Sequence, residues 1–431
     1  NQIALFQSLA GLGANGAQRA AKFLSASCSV APLIVGALPL SDTSLFDVVF
    51  FGCCLELLCI AATAITALHA WPEWPTKGFG PTVFCTLFVA YSLGYGAVVS
   101  VMPMLTRRSA PEGALCSGLM QAFVASLSAG AILGIAAAAA AAASHSAALG
   151  PMAAFLSLIL GMATFPPLGG LPLKVARCIL KAGLHLGPEE LLAWEQKQPA
   201  NCLLSSPAPS KEAPVPAASL ASLLPTLLLL SPFYAAASQW TTSWYVQTLY
   251  CDRCVFGIVI PACLLQGFER LSSLAALTWL RSRTTVLRLK LPKRLGLGSV
   301  CAALAMLAAA LVEVARRDWA PRLPGQPEVS SLSVAWLLPQ FALIAAGEAF
   351  IYPASAEFLS SSPFAYGLGC AAQAGAVALL GLWLGYLKAW IPDGSPNQGH
   401  YDLFYLCLGA AGLVASGLFV LLPFPTFSQH G

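Results

Sequence analysis

Charge is what this chain has least of. Only 9% of its 431 residues are Asp, Glu, Lys or Arg, while 58% are hydrophobic. A soluble domain carries about 25% charged residues, so a surface this poor in charge cannot be wrapped in water. That excludes a soluble enzyme, a disordered chain and a nucleic-acid-binding domain. The balance of 22 basic against 18 acidic residues, a net charge of +4, is too small to steer polyanions. The strict apolar–polar alternation of outer-membrane barrel strands is missing too. Neither an HExxH run nor a paired aspartate motif is present, so the chain does not read as an enzyme. Fourteen cysteines supply neither a secreted disulfide scaffold nor a metal site, because most stand singly in apolar runs, where a thiol acts as a small hydrophobe. Cys251 and Cys254 form the one CxxC, and no second Cys or His pair completes a zinc tetrahedron. A local disulfide is the alternative if that loop faces an oxidising space. Metal sites and resident cofactors are therefore not expected. The opening Asn1-Gln2-Ile3-Ala4 has neither the basic region nor the cleavage site of a signal peptide. It reads as the continuation of a segment further upstream.

What the chain has is long apolar runs. A spanning helix uses ~20 apolar residues, and eleven stretches qualify: 23–40, 45–68, 80–103, 115–143, 151–173, 221–247, 255–280, 295–314, 333–360, 367–390 and 403–425. A twelfth, at 1–14, reads as the end of a truncated first helix. The expectation is an all-α, multi-pass integral membrane protein, with the lipid bilayer as its surroundings and no indication of which membrane. Between Lys174 and about Leu220 the pattern stops, and Pro188, Pro199, Pro207, Pro209, Pro214 and Pro216 mark a linker. The chain then divides into an N-terminal bundle at 1–173 (partial helix 1, helices 2–6), a cytoplasmic Pro-rich linker at 174–220, and a C-terminal bundle at 221–431 (helices 7–12). Six plus six is the arithmetic of the major facilitator fold. With the linker inside, alternation puts thirteen basic residues on the cytoplasmic side against eight opposite, with Arg270 within a helix. That bias has the sign the positive-inside rule requires.

An ionisable side chain at mid-bilayer costs ~2.5–3.5 kcal/mol, so each is a candidate site. They are Glu56, Glu269, Arg270, Glu348 and Glu357, with Glu313 near a helix end. Glu269 and Arg270 are neighbours about 100° apart on a helix and are expected to face different partners. Glu348 and Glu357 lie nine residues apart in GEAFIYPASAEF, Gly347–Phe358, and so project from opposite faces. Pro353 between them is expected to kink the helix. A second polar stripe contains Ser238, Gln239, Thr241, Thr242, Trp244 and Gln247. It suits a mixed polar and aromatic pocket or interhelical hydrogen bonding equally well.

Four segments resemble the proton-coupled oligopeptide transporters, especially the plant-type peptide and nitrate branch of the major facilitator superfamily. YAAASQWTTSWYVQ, Tyr234–Gln247, is similar to that family's seventh helix, and LGLGSVCAALAMLAAALVEVAR, Leu295–Arg316, to its ninth. WLLPQFALIAAGEAFIYPASAEFLSSSP, Trp336–Pro363, follows its tenth, and HYDLFY, His400–Tyr405, resembles the entry to its twelfth. The N-terminal half matches in layout without the family's marks. The Glu-x-x-Glu-Arg motif of helix one falls before Asn1, no lysine stands near Gly94–Ser100, and Ser128-Ala129-Gly130 replaces an Asn-x-Gly.

The resemblance implies a secondary active transporter moving small peptides or a related solute, nitrate or amino-acid-like, by alternating access. The proton would be its coupling ion, a small molecule its partner, and a monomer its working form. Glu357 would hold a cationic substrate group, while Gln239 and Trp244 line the pocket. Glu348, Glu269 and Arg270 would be gating or proton-linked residues. The alternative is a transport-inactive relative that senses a ligand or acts as a membrane scaffold.

Overall fold

The computed structural model describes residues 28–38, 42–69, 79–108, eight positions between 120 and 132, 217–283, 289–319, 321–323, 326–360, 363–386, 397 and 399–421. The expected helix remnant at 1–14, the stretch at 151–173 and nearly all of the linker lie outside them. So does most of 115–143.

A helical stretch at 28–36 precedes α1 (Asp42–His69) and α2 (Phe79–Arg108), which pack side by side. In the C-terminal half, α3 (Ala217–Ala237) runs through a 3-10 turn at Ser238–Thr241 into the short α4 (Ser243–Leu249). The hairpin β1–β2 (Cys254–Val255, Ile258–Val259) leads into α5 (Cys263–Ser282) and then α6 (Leu291–Val314). A π-turn at Ala315–Trp319 and a second hairpin, β3–β4 (Arg322–Leu323, Gln326–Ser330), lead to α7 (Leu338–Leu359), α8 (Pro363–Tyr386) and α9 (Tyr401–Leu421). Both hairpins are antiparallel and sit at one end of the bundle; Asp252 beside the first bonds Leu332 and Val334 beside α7. The first hairpin turns on Phe256 and Gly257, both with positive φ, the geometry that matches strand twist in a two-residue loop. The basic cluster around Arg281–Arg294 marks the opposite end.

Helices dominate because a backbone in lipid must satisfy its own polar groups. At ~1.5 Å per residue the 20–24 residues of α5 to α9 reach across a hydrocarbon core of ~30 Å. Among the described residues, four helices are long and apolar enough to cross a membrane: Leu291–Asp318, Val334–Leu359, Pro363–Leu380 and Tyr401–Leu421. Their outward faces keep Leu311, Leu379, Val414 and Val420 exposed, a surface fit for lipid rather than water.

The C-terminal core is centred on α6, which packs on both α7 and α9. Its Ala302, Ala305, Met306 and Ala309 meet Phe341, Ile344, Phe404 and Tyr405 in one buried cluster. Small residues let these backbones approach closely. A Cβ on Gly298 would lie 2.9 Å from the Gly347 carbonyl oxygen, and one on Gly347 2.8 Å from that of Gly298. Neither position has room for alanine. α7 runs unbroken through Pro353.

The two halves meet toward the basic end. Val49, Cys53, Val101, Met102 and Met104 share a buried apolar cluster with Leu277, Leu280 and Ala349. Beside it, Gly36 abuts the Pro363 carbonyl and Gly367 abuts that of Pro32. This dry contact leaves the charged side chains of α5 and α7 just above it.

Candidate functional site

The reciprocal glycine contact fixes how α7 is rotated against α6. With Gly347 turned to α6, Glu348 and, one turn on, Tyr352 turn toward α5, whose Glu269 and Arg270 meet them. Arg270 Nη1 donates to Glu348 Oε2 at 3.0 Å, and Nε stands 3.0 Å from Glu269 Oε2. The guanidinium lies over the Trp240 ring, 4.7 Å from its centroid, a cation–π contact that also shields it from water. Both carboxyl groups are 0% exposed, whereas the Arg270 side chain is 18% exposed. Tyr352 stacks edge-on against Phe233 at 5.8 Å.

The three residues expected to be gating or proton-linked are thus gathered into one cluster. One detail corrects the sequence reading. Glu269 and Arg270 do not go to different partners: the Arg270 side chain is long enough to reach back to Glu269 while bonding Glu348 across the α5–α7 contact. The cluster also recruits Trp240 and Tyr352, which sequence reasoning missed. Trp240 lay inside the polar stripe and Tyr352 within GEAFIYPASAEF, but no spacing rule marks a stacking ring.

Gln239 and Trp244 stand elsewhere. The stripe falls within an apolar stretch expected to be one helix, 221–247, yet the helix breaks there. Hydroxyls of Ser238, Thr241 and Thr242 bond Ala235 O and Ser238 O at 2.7–3.0 Å, local bonds that compete with regular helix. Gln239 is buried and spends its amide on the same break. Its Nε2 donates to Ala235 O at 2.8 Å, and its Oε1 accepts from Ser243 at 2.7 Å. Trp244 is fully buried against Phe341, ring centroids 5.2 Å apart, with its Nε1 unpaired. Both serve packing here rather than facing the ionic cluster.

Glu357 does meet a cation, but one of the chain's own. Its Oε2 accepts from Arg294 Nη2 at 2.5 Å, at the basic end, on the face of α7 opposite Glu348 as the nine-residue spacing requires. At the other end lies a second buried ionic group. Glu313 takes Arg316 bidentately at 2.7 and 3.0 Å and Gln247 Nε2 at 2.9 Å. Gln247 Oε1 accepts from Gln340 at 3.0 Å, and Arg316 Nη1 donates to Asn397 at 2.6 Å. In the same region Cys251 and Cys254 are free thiols, one buried and one exposed. Burial pushes the Cys251 thiol up to about 12, so it has little thiolate character.

Residues 211–365 match the sequence profile of PTR2, the POT family. Among curated relatives in Arabidopsis thaliana, Protein NRT1/PTR FAMILY 7.2 is 29% identical over 231 residues, covering 46% of this chain and 38% of that protein. Protein NRT1/PTR FAMILY 6.4 is 35% identical over 136 residues, 29% of this chain and 22% of its own length. The matches span well under half the length of these relatives. Among solved structures, the peptide transporter POT in complex with sulfate superposes with a TM-score of 0.61 at 16% identity, covering 97% of this chain and 89% of that one. A POT family transporter in complex with 5-aminolevulinic acid gives 0.62 at 13% identity, covering 97% and 91%. The proton:xylose symporter XylE of the major facilitator superfamily gives 0.58 at 15%, covering 98% and 91%. At these identities the superpositions establish the fold. Residues 211–365 are thus similar in sequence to the POT family, and the superpositions give this multi-pass integral membrane protein the major facilitator fold that the POT structures and XylE share.

Proposed function

We propose that the chain moves small peptides or a related small solute, nitrate or an amino-acid-like molecule, across a membrane by alternating access, with the proton as coupling ion. The observation that carries this reading is the Glu269–Arg270–Glu348 cluster, buried within the membrane-spanning region beside the contact of the two halves, which includes Ala349. Intramembrane charges are costly and mark substrate or ion pathways when they are kept. In this scheme two bundles of six helices, joined by a cytoplasmic linker, rock about the cluster. The apolar contact of Met102 and Met104 with Leu277 and Leu280 is then the seal that opens and closes. Substrate lies against Arg270, Trp240 and Tyr352 in a monomer, and no resident cofactor takes part. The Glu357–Arg294 pair holds α6 to α7 at the basic end and stands apart from substrate, while Gln239 and Trp244 shape the pocket wall from behind.

The test is uptake by the full-length protein in liposomes, with a panel of dipeptides, amino acids and nitrate, with and without an inward proton gradient. Gradient-driven accumulation of at least one solute is expected. The N-terminal half, with no lysine near Gly94–Ser100, favours a second reading as a ligand sensor. That version binds a solute in the same panel and accumulates none.

A further inference from the structure

The two ends of the C-terminal half carry their charge differently. At the hairpin end arginines are spent on acids, Arg316 on Glu313 and Arg317 on Asp318 and Asp402. At the basic end, residues 281–294 hold Arg281, Arg283, Arg288, Lys290, Lys293 and Arg294 and no acidic residue. Arg294 is buried and turned to Glu357. Arg281 and Arg283 stand where α5 ends, Lys290 and Lys293 where α6 begins, and all four are exposed. Among the described residues none of the four has an ion-pair partner. Four cations at the ends of two successive helices thus face outward with their charge uncompensated.

An apolar stripe on α5 leads up to this patch. Leu264, Leu271 and Trp279 recur at spacings of seven and eight residues and so share one side of the helix. They are 45%, 54% and 55% exposed, whereas Glu269, Leu277 and Leu280 on the other side are buried. At ~1.5 Å per residue Leu271 lies ~12 Å from Trp279 along the axis, within the ~15 Å that one leaflet adds to a ~30 Å core. Trp279 therefore stands where the acyl layer meets the headgroups, the level at which tryptophan collects in membrane proteins. One turn further on, the Arg283 guanidinium lies over its ring, 5.7 Å from the centroid. The stack covers one face of the guanidinium and leaves its fork of donors free for a phosphate.

We propose that Trp279, Arg281, Arg283, Lys290 and Lys293 form a binding site for the headgroup of an anionic glycerophospholipid in the leaflet at the basic end. The phosphate sits at the Arg283 fork beside Trp279, and an acyl chain runs along Leu271. Arg281, Lys290 and Lys293 supply the field that selects an anionic headgroup. A choline headgroup brings its own cation into that field and loses the advantage. A soluble phosphate gains the charge contacts but leaves the apolar stripe bare, so the stripe and the cations together specify a lipid. The site lies about three turns of α5 from Arg270 and stands independently of the transport reading.

The experiment is native mass spectrometry of the purified full chain in neutral detergent, titrated with dioleoyl phosphatidylglycerol or dioleoyl phosphatidylcholine. Wild type is expected to hold phosphatidylglycerol ~10-fold or more tighter than phosphatidylcholine. A cation at a membrane surface is worth about fivefold in affinity for anionic lipid, so Arg283→Gln should weaken phosphatidylglycerol by about that factor. Arg281→Gln combined with Arg283→Gln, and Lys290→Gln combined with Lys293→Gln, should each weaken it by ~10-fold or more. Phosphatidylcholine should be unaffected by all three. Trp279→Leu keeps the apolar contact and loses the stacked ring, for a loss of ~2–5-fold. Arg253→Gln removes the same charge at the hairpin end and should change nothing. Equal retention of the two lipids by wild type overturns the site, as does full phosphatidylglycerol affinity in both double variants. An Arg253→Gln loss equal to that of Arg283→Gln makes the effect one of net charge and overturns it too. Soluble glycerol 3-phosphate that binds as tightly as the lipid shows a free phosphate to be the occupant, and the lipid assignment then fails.

Discussion

The C-terminal half contains two buried ionic groups built to opposite rules. At the hairpin end, Glu313 and Arg316 are 2% and 1% exposed and face each other one to one, through two hydrogen bonds. Gln247 and Asn397 use their amides on the pair and Gln340 donates to Gln247, so the group ties α4, α6, α7 and the segment before α9 together. At the centre, two carboxyls share one guanidinium, and among the described residues Glu269 Oε1 and Glu348 Oε1 have no partner. A buried pair that completes its own bonding cannot respond to anything. A group with open valence responds to whatever supplies the missing proton or charge. The first is architecture, and the second is the group on which the proposed transport reading depends.

The widest gap between the two should appear in stability. Arg316→Met leaves the Glu313 carboxylate buried with only Gln247 to hold it. Truncating one partner of a buried ion pair costs ~3–5 kcal/mol, and we expect a loss at the upper part of that range. Glu269→Gln at the centre removes the surplus charge, so the change there should stay within about 1 kcal/mol of wild type. Denaturant unfolding of both variants in detergent, followed by far-UV circular dichroism, makes the comparison. Equal losses would show that the centre is as structural as the hairpin end.

A smaller effect tests how the centre is aimed. Gly347 touches α6 at Gly298, and Glu348 is its neighbour. Gly347→Ala puts a methyl 2.8 Å from the Gly298 carbonyl oxygen, an overpacking that costs ~1–3 kcal/mol. It should also turn Glu348 away from Arg270, so gradient-driven uptake should fall further than stability does. Liposome uptake beside the unfolding curve checks this. A variant that loses stability while keeping full uptake would mean that the glycines set packing alone.

The helices were legible because lipid enforces one solution: a run of apolar residues ~20 long has nowhere else to put its backbone. The boundaries at 45–68, 80–103 and 403–425 therefore fall close to α1, α2 and α9. The break at Ser238–Thr241 was not legible, because hydroxyl bonds to local carbonyls override the apolar pattern. The ionisable residues stood out individually by their cost. Their grouping did not, since Glu269, Arg270 and Glu348 lie on helices 78 residues apart and meet only through the way α7 rolls on α6. For the same reason, helical periodicity separated Glu348 from Glu357 correctly and could not say which one faces the centre.

That last ambiguity has its own measurement, with the smallest expected effect. Glu357 is paired with Arg294, whose side chain is 7% exposed while the carboxylate side is 23% exposed. Glu357→Gln keeps the volume and retains one acceptor for the Arg294 fork. The pair is near the basic end and partly wetted, so screening reduces what the charge is worth. Partly exposed pairs contribute ~0–1 kcal/mol, and the stability change should stay in that range. Binding of Ala-Ala or nitrate should not change measurably, because the group lies on the opposite face of α7 from Arg270. Resemblance alone had put the cationic end of a substrate at Glu357. If that placement is right, Glu357→Gln weakens Ala-Ala by ~30-fold or more and leaves nitrate untouched. Titrating both probes against Glu357→Gln and Glu348→Gln at matched folding separates the cases. A selective loss of Ala-Ala in the first variant moves the substrate amine to the basic end of α7, away from the central cluster.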